Sequence, residues 1–319
     1  MSRTLFVAVM TVLFIWCGAA GAQDKFPSRP IETIVNFGPG GGADQLGRIA
    51  SQVLERILGV PLPVSNIVGA SGNTGLAKVA SAQPDGYTIG VITGLSISSW
   101  AAGMGRLSVN DFAYLGVVQA SPSMLFVVID SPIKNYRQLL DMAKANPGKL
   151  KVATAGFGTL DDFAVKFLAK RGFPMINAPY AKPAERYTSI LGKHTDVLFE
   201  EPGDVAQFLA AKQMRPIVVF GNARHPEFAD VPASGEFDQH IDLPNWRALI
   251  ASPKVSKERI DALSAALGKM TETAEWKKFC AETYTCIAKM SPAESKKFVQ
   301  KNFDDAVAFL KESGTQIKQ

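Results

Sequence analysis

Residues 31–58, IETIVNFGPGGGADQLGRIASQVLERIL, set a strand, a glycine loop and an amphipathic helix in direct succession. Ile31, Thr33, Ile34 and Val35 make a strand-like run that ends at Gly38-Pro39-Gly40-Gly41-Gly42. Leu46, Ile49, Ala50, Val53, Leu54, Ile57 and Leu58 then recur at three- and four-residue spacing, the signature of one apolar helix face. Gly59 stands where a left-handed C-cap belongs. A helix that starts this way turns unpaired backbone N–H groups, and the positive end of its dipole, toward the end of the strand. That is a cradle for an anion, and glycines let a ligand approach without a Cβ in the way.

The loop lacks the Gly-Lys-Ser/Thr ending of a nucleotide P-loop. Gly38-x-Gly40-x-x-Ala43 does fit a dinucleotide fingerprint, although Pro39 removes one N–H donor. A tight strand-to-helix turn that binds nothing is the plain alternative. The N-terminus bears on that choice. Met1–Ala22 carries one basic residue, Arg3, then an apolar run from Leu5 and the triplet Ala20-Gly21-Ala22. It reads as a secretory signal peptide cut after Ala22, too short for a spanning helix. Trp16 before Cys17 is too bulky for a lipidation signal. An exported chain is expected to use no nicotinamide cofactor, which disfavours the dinucleotide reading.

Removing 22 of the 319 residues leaves 297, enough for two domains. The remaining 33 basic and 29 acidic residues give +4 and are interleaved, with no basic stripe to meet nucleic acid. No cofactor or metal is expected. The histidines His194, His225 and His240 are not at ligand spacing, His194 reads as a surface residue, and there is no Gly-x-Ser-x-Gly elbow. Cys280 and Cys286 are either a short disulfide or two buried thiols.

Further along, Leu62–Ser65, Tyr87–Thr93, Leu125–Ile129, Val152–Thr154 and Asp196–Phe199 read as strands between helical segments, so the fold class is α/β with doubly wound parallel sheets. The strand–loop–helix device occurs a second time. Val152–Thr154 leads into Ala155-Gly156-Phe157-Gly158-Thr159-Leu160-Asp161-Asp162 and a helix with Phe163, Phe167 and Leu168 inward. Two such loops facing each other across a cleft would make a clamshell. Trp100 and Trp246 read as packing residues, and Lys257–Thr273 and Ala293–Leu310 as helices covering a sheet.

Phe37-x-Pro39-Gly40-Gly41-x-x-Asp44 resembles the first-loop pattern of the solute-binding proteins of tripartite tricarboxylate transporters, the Bug family. Phe26-Pro27-Ser28-Arg29-Pro30, Asn66 through Gly75, and Pro84-Asp85-Gly86-Tyr87-Thr88 continue the likeness. So do residues 143–150 (AKANPGKL), Gly158-Thr159, Pro179-Tyr180, Asp230-Val231-Pro232 and Ser291-Pro292, in order along the chain. The resemblance implies a type II periplasmic binding protein, two α/β domains closing on a small carboxylate-bearing solute and presenting it to membrane permease subunits. The expected domains are 23–124 plus 245–319, and 125–244, with the hinge near Ser121–Leu125 and Pro232–Trp246 and a monomer as the default. Carried over residue by residue, the site comprises Phe37, Gly41, Gly42, Ala43 and Asp44 from the first loop and Gly156, Gly158 and Thr159 from the second, holding the carboxylate through backbone N–H groups and waters.

The chain departs from the family pattern at Asp162, where a histidine is common, at Pro179-Tyr180-Ala181-Lys182-Pro183, and at the doubled acid Glu200-Glu201. If Asp44, Asp162 and Glu200 all face the cleft, a polyanion is repelled. The expected ligand is then a mono- or dicarboxylate, with or without a cationic group. Against this, Thr159-x-x-Asp162 is a capping-box spacing and Asp44 falls in a helix first turn, so both acids also suit a purely local role. Two other functions fit the same cleft: an exported hydrolase-like enzyme, and a sensing subunit for a membrane signalling protein.

Overall fold

The computed structural model describes residues 26–312. The expected signal peptide and its cut after Ala22 lie outside them. Among the described residues no helix is long and apolar enough to cross a membrane.

The chain begins with β1 (Glu32–Val35), α1 (Gly42–Leu58), β2 (Val64–Asn66), α2 (Asn73–Ala80), β3 (Thr88–Thr93), α3 (Gly94–Ala101) and β4 (Ala113–Ser121). It crosses at Pro122-Ser123 into β5 (Met124–Val128), α4 (Tyr136–Ala145), β6 (Lys151–Thr154), α5 (Leu160–Lys170) and β7 (Ile176–Pro179). There follow α6 (Pro183–Leu191), β8 (Val197–Glu200), α7 (Ala206–Ala210) and β9 (Met214–Val219). It returns as β10 (Asn245–Ala251) and ends with α8 (Lys257–Thr271), α9 (Ala274–Thr283) and α10 (Pro292–Glu312). The strands form two five-stranded sheets, ordered β2-β1-β3-β10-β4 and β7-β6-β8-β5-β9.

Both sheets are mixed, where the sequence suggests parallel ones. β1, β2 and β3 run parallel, but β10 is antiparallel to both β3 and β4. In the second sheet β6 is parallel to β7 and β8, and β5 is antiparallel to β8 and β9. The two reversed strands are the first strands the chain lays down on arriving from the other lobe. The ordinary strands of both lobes end at the cleft, so a strand entering from the cleft must run the opposite way.

Each sheet is covered on both faces, and the alternation of side chains sorts residues between two cores. Val35, Val91 and Leu249 join the cluster under α1 and α8, whereas Ile34, Ile92 and Ile250 join the one under α2 and α10. In β5, Leu125 and Val127 go to one core, Met124 and Phe126 to the other. Helix α1 buries Leu46, Ala50, Val53 and Leu54, and Gly59 closes it at φ 72° by donating its N–H to the Glu55 carbonyl. Trp246 is packed edge-on to Phe298, and Trp100 stacks on Phe112. Helix α10 is not confined to one lobe. Val299 belongs to the core of the first sheet, while Ala306 and Leu310 share a cluster with Leu160 and Phe163 of α5, and Phe309 stacks on Phe167 at 5.3 Å.

Cys280 and Cys286 are joined across a short loop, their Cα atoms 5.3 Å apart. Opening so short a loop is expected to cost about 2 kcal/mol in the chain-entropy account. Reduction is therefore expected to lower the Tm by a few degrees, read from thermal melts with and without reductant in the same buffer. An unchanged Tm would show that the bridge adds no stability.

Candidate functional site

The two glycine loops are built on one plan. In the first, the Asp44 carboxylate accepts the Gly40 N–H at 3.0 Å, Arg48 Nε at 2.9 Å and Asn66 Nδ2 at 2.9 Å. In the second, Asp162 accepts the Gly158 N–H at 2.8 Å, Lys166 Nζ at 2.7 Å and Asn177 Nδ2 at 2.7 Å. Each acid thus takes a backbone N–H four residues back, a cation four residues on, and an asparagine from the neighbouring edge strand. Burial raises the Asp44 carboxyl, but these three partners outweigh it and hold the group below its ordinary range. The two acids brace their loops. Thr159 Oγ1 closes the second loop by donating to the Gly156 carbonyl at 2.7 Å, and Asp161 accepts the Ala155 N–H.

Phe37, Gly41, Gly42, Ala43 and Glu200 line a common cavity between the lobes, of about 20 Å³. Asp44 and Asp162 do not line it, because their oxygens are taken up inside their own loops. Gly156, Gly158 and Thr159 stand back from it, and the second loop reaches the cavity wall through Ala155. The sequence reading missed Thr93, Leu95, Pro183, Arg186, Asp204, Asn245 and Arg247, which complete the lining. Arg247 did carry a signal. It interrupts the apolar run of β10, a strand buried at every position, and a charge there needs partners.

Those partners come from the opposite lobe. Arg247 Nη2 donates to both oxygens of Asp204, at 2.8 and 2.6 Å, and to Glu201 Oε2 at 3.2 Å. Glu201 also accepts from Asn245 Nδ2 at 2.7 Å and from Ser123 Oγ at 2.8 Å. Asp204 Oδ2 accepts the Gly42 N–H at 3.0 Å, at the first turn of α1. Within the second lobe Arg186 pairs with Glu200 Oε2, through Nε at 2.9 Å and Nη2 at 2.5 Å. Three carboxylates therefore share two guanidiniums, all with side chains no more than 5% exposed. Burial, reinforced by the neighbouring Asp204 charge, pushes Glu201 up to about 7 despite Arg247, and burial also drives Glu200 well above its ordinary value. Glu200, Glu201 and Asp204 bring oxygens within 4.8 Å of one another, a spacing a metal ion could use. The guanidiniums already cover those oxygens, so the set suits ion pairing rather than a cation.

The tripartite tricarboxylate transporter family receptor (TctC) model matches residues 46–315. The UPF0065 protein in the tcbD-tcbE intergenic region of Pseudomonas sp. (strain P51) is 31% identical over 251 residues, 77% of this chain and 75% of that one. Among solved structures, the periplasmic binding protein BugD superposes with a TM-score of 0.84 at 23% identity, covering 91% of this chain and 99% of its own. MatC from Rhodopseudomonas palustris with bound malate gives 0.80 at 20% identity, covering 89% and 100%. At these identities the two structures share the fold.

The raised Glu201 carboxyl makes stability depend on pH. Unfolded, it titrates near 4.5; folded, it holds its proton up to about 7. Between those values the folded protein binds more protons, so this group's contribution falls as pH rises through the window, by at most about 3 kcal/mol. Glu201→Gln is expected to remove that component. Denaturant melts between about pH 5 and about pH 8 would then show a shallower decline for the variant than for the wild type. Parallel slopes would mean that Glu201 stays ionised throughout.

Proposed function

Since the chain belongs to the tripartite tricarboxylate transporter receptor family, we propose that it is a periplasmic receptor that captures a small carboxylate-bearing solute between its lobes and delivers it to the membrane subunits of such a transporter. The family is one of binding proteins, and the chain accordingly acts by holding and releasing a solute rather than by converting it. The observation that carries the reading is the seat at the start of α1. There the Gly42 N–H and the Arg247 guanidinium converge on a carboxylate, that of Asp204, with hydrogen-bonding distances of 2.6–3.0 Å. A backbone donor at a helix N-terminus together with a guanidinium suits carboxylate recognition, and the same donors are available to a solute.

The ligand is a mono- or dicarboxylate, with or without a cationic group, as it is malate in MatC. Asp44 and Asp162 give no reason to exclude a polyanion, because both are neutralised within their loops. The argument rests instead on Glu200, Glu201 and Asp204 competing for two guanidiniums, because a bound polyanion requires both glutamates to keep their protons. Phe37, Gly41, Gly42 and Ala43 shape the seat, Ala155 faces them from the second loop, and Gly156, Gly158 and Thr159 hold that loop in place. Closure is a hinge motion about the two crossings, and the solute favours it by binding the closed form better.

A thermal-shift panel of mono-, di- and tricarboxylates on refolded residues 23–319 tests the reading. A solute at about 100 times its Kd is expected to add about 2.7 kcal/mol, a clear rise in Tm. Response to tricarboxylates alone would overturn the ligand class, and response to none would overturn the carboxylate reading. Gly42→Ala sharpens the test, because a Cβ there would stand 2.0 Å from Asp204 Oδ1 and 2.2 Å from Arg247 Nη2. The variant is expected to bind the hit at least about tenfold more weakly, a loss of about 1.4 kcal/mol or more by calorimetry. Affinity unchanged by Gly42→Ala both alone and combined with Asp204→Ala would move the seat elsewhere.

A further inference from the structure

The carboxylate in the seat at α1 belongs to the protein itself and comes from the opposite lobe. Asp204 follows β8 in a turn closed by its own N–H on the Glu201 carbonyl at 3.1 Å, and from there it reaches Gly42 and Arg247 of the first lobe. The seat has more donors than Asp204 uses. Arg247 Nε and Thr93 Oγ1 are buried without a partner, in residues only 4% and 1% exposed, and both residues line the same cavity. Buried donors of this kind are costly unless an acceptor reaches them in some state of the protein. With Asp204 in place the cavity holds about 20 Å³, room for little more than a water molecule. A solute carboxylate and the Asp204 carboxylate therefore cannot share the seat.

We propose that Asp204 is an internal competitor for the solute carboxylate and so sets the affinity and selectivity of the receptor. The lobes close on their own carboxylate, and a solute must displace it. The incoming group takes over the Gly42 N–H and Arg247 Nη2, and its further acceptors reach Arg247 Nε and Thr93 Oγ1. Self-closure with equilibrium constant K weakens solute binding by the factor 1 + K, because only the fraction not self-closed has the seat free. A weak or poorly fitting anion cannot displace Asp204, whereas a solute that also engages the spare donors can. The inference rests on the carboxylate reading above, and its test has one arm that does not.

The test compares wild type with Asp204→Ala and Asp204→Asn, all refolded to remove carried solute and checked by circular dichroism. The asparagine variant keeps the side-chain volume and a Gly42 N–H acceptor should the alanine variant fold poorly. In calorimetry with the carboxylate identified by the panel, Asp204→Ala is expected to bind at least about tenfold tighter, the factor 1 + K for a predominantly self-closed protein. In small-angle scattering without solute, wild type is expected to be compact, and Asp204→Ala expanded until solute is added. Equal or weaker carboxylate binding by the variant overturns the proposal; selective loss of amino-carboxylate binding would instead make Asp204 the partner of a solute ammonium. If no carboxylate binds any of the three proteins, the functional reading fails. The scattering arm then still decides this inference, which is overturned if variant and wild type are equally compact without solute.

Discussion

Arg247 is the charge on which the relation between the lobes depends. It sits on the strand that returns from the second lobe, yet its side chain points back to Asp204 and Glu201 of that lobe. Withdrawing a guanidinium from water costs several kcal/mol, and the pairing recovers this only when the geometry is good and the remaining lone pairs are filled. Ser123, Asn245 and the Gly42 N–H do that filling, and each lies at a crossing or at the first loop. The ion pairs therefore specify one arrangement of the lobes more than they add stability. Removing Arg247 would leave the Asp204 carboxylate buried without its cation.

Around this network the two lobes repeat a single construction. A strand delivers a glycine loop, a helix begins, and an aspartate in the first turn ties the loop to an edge strand through an asparagine and to the helix through a cation. The pattern runs through Gly40, Asp44, Arg48 and Asn66 in one lobe and Gly158, Asp162, Lys166 and Asn177 in the other. Rigid loops matter here because backbone N–H groups at a helix start meet a carboxylate well only if they are already aimed. The braces hold the first turn of α1 where the Gly42 N–H meets the Asp204 carboxylate.

Much of this was legible in the chain. Local signals of strand, glycine loop and apolar helix face place both loops, because they depend on residues within one or two turns of each other. The reversed strands β5 and β10 were not legible, since direction in a sheet follows from where the chain enters, not from the residues of the strand. From sequence, Asp44 and Asp162 could be read as acids of a cleft or as local caps, and Glu200 as a cleft acid or a solvated one; only the coordinates separate Glu200, at the cavity, from the other two. Arg186, Asp204 and Arg247 escaped for the same physical reason. Their roles are pairings between residues distant in sequence, and a lone arginine in an apolar strand says that a partner exists without saying which.

The packing of α10 carries a mechanical consequence. Two polypeptide crossings lying side by side leave a pair of lobes free both to swing and to twist. A helix anchored through Val299 to one sheet and through Leu310 and Phe309 to α5 of the other body adds a third tether, displaced from the first two. An attachment away from the crossings resists any swing that would pull it apart. As the lobes part, the end of α10 either travels with the second lobe or peels Phe309 from Phe167. The helix thus ties the packing of one aromatic pair to the angle between the two bodies.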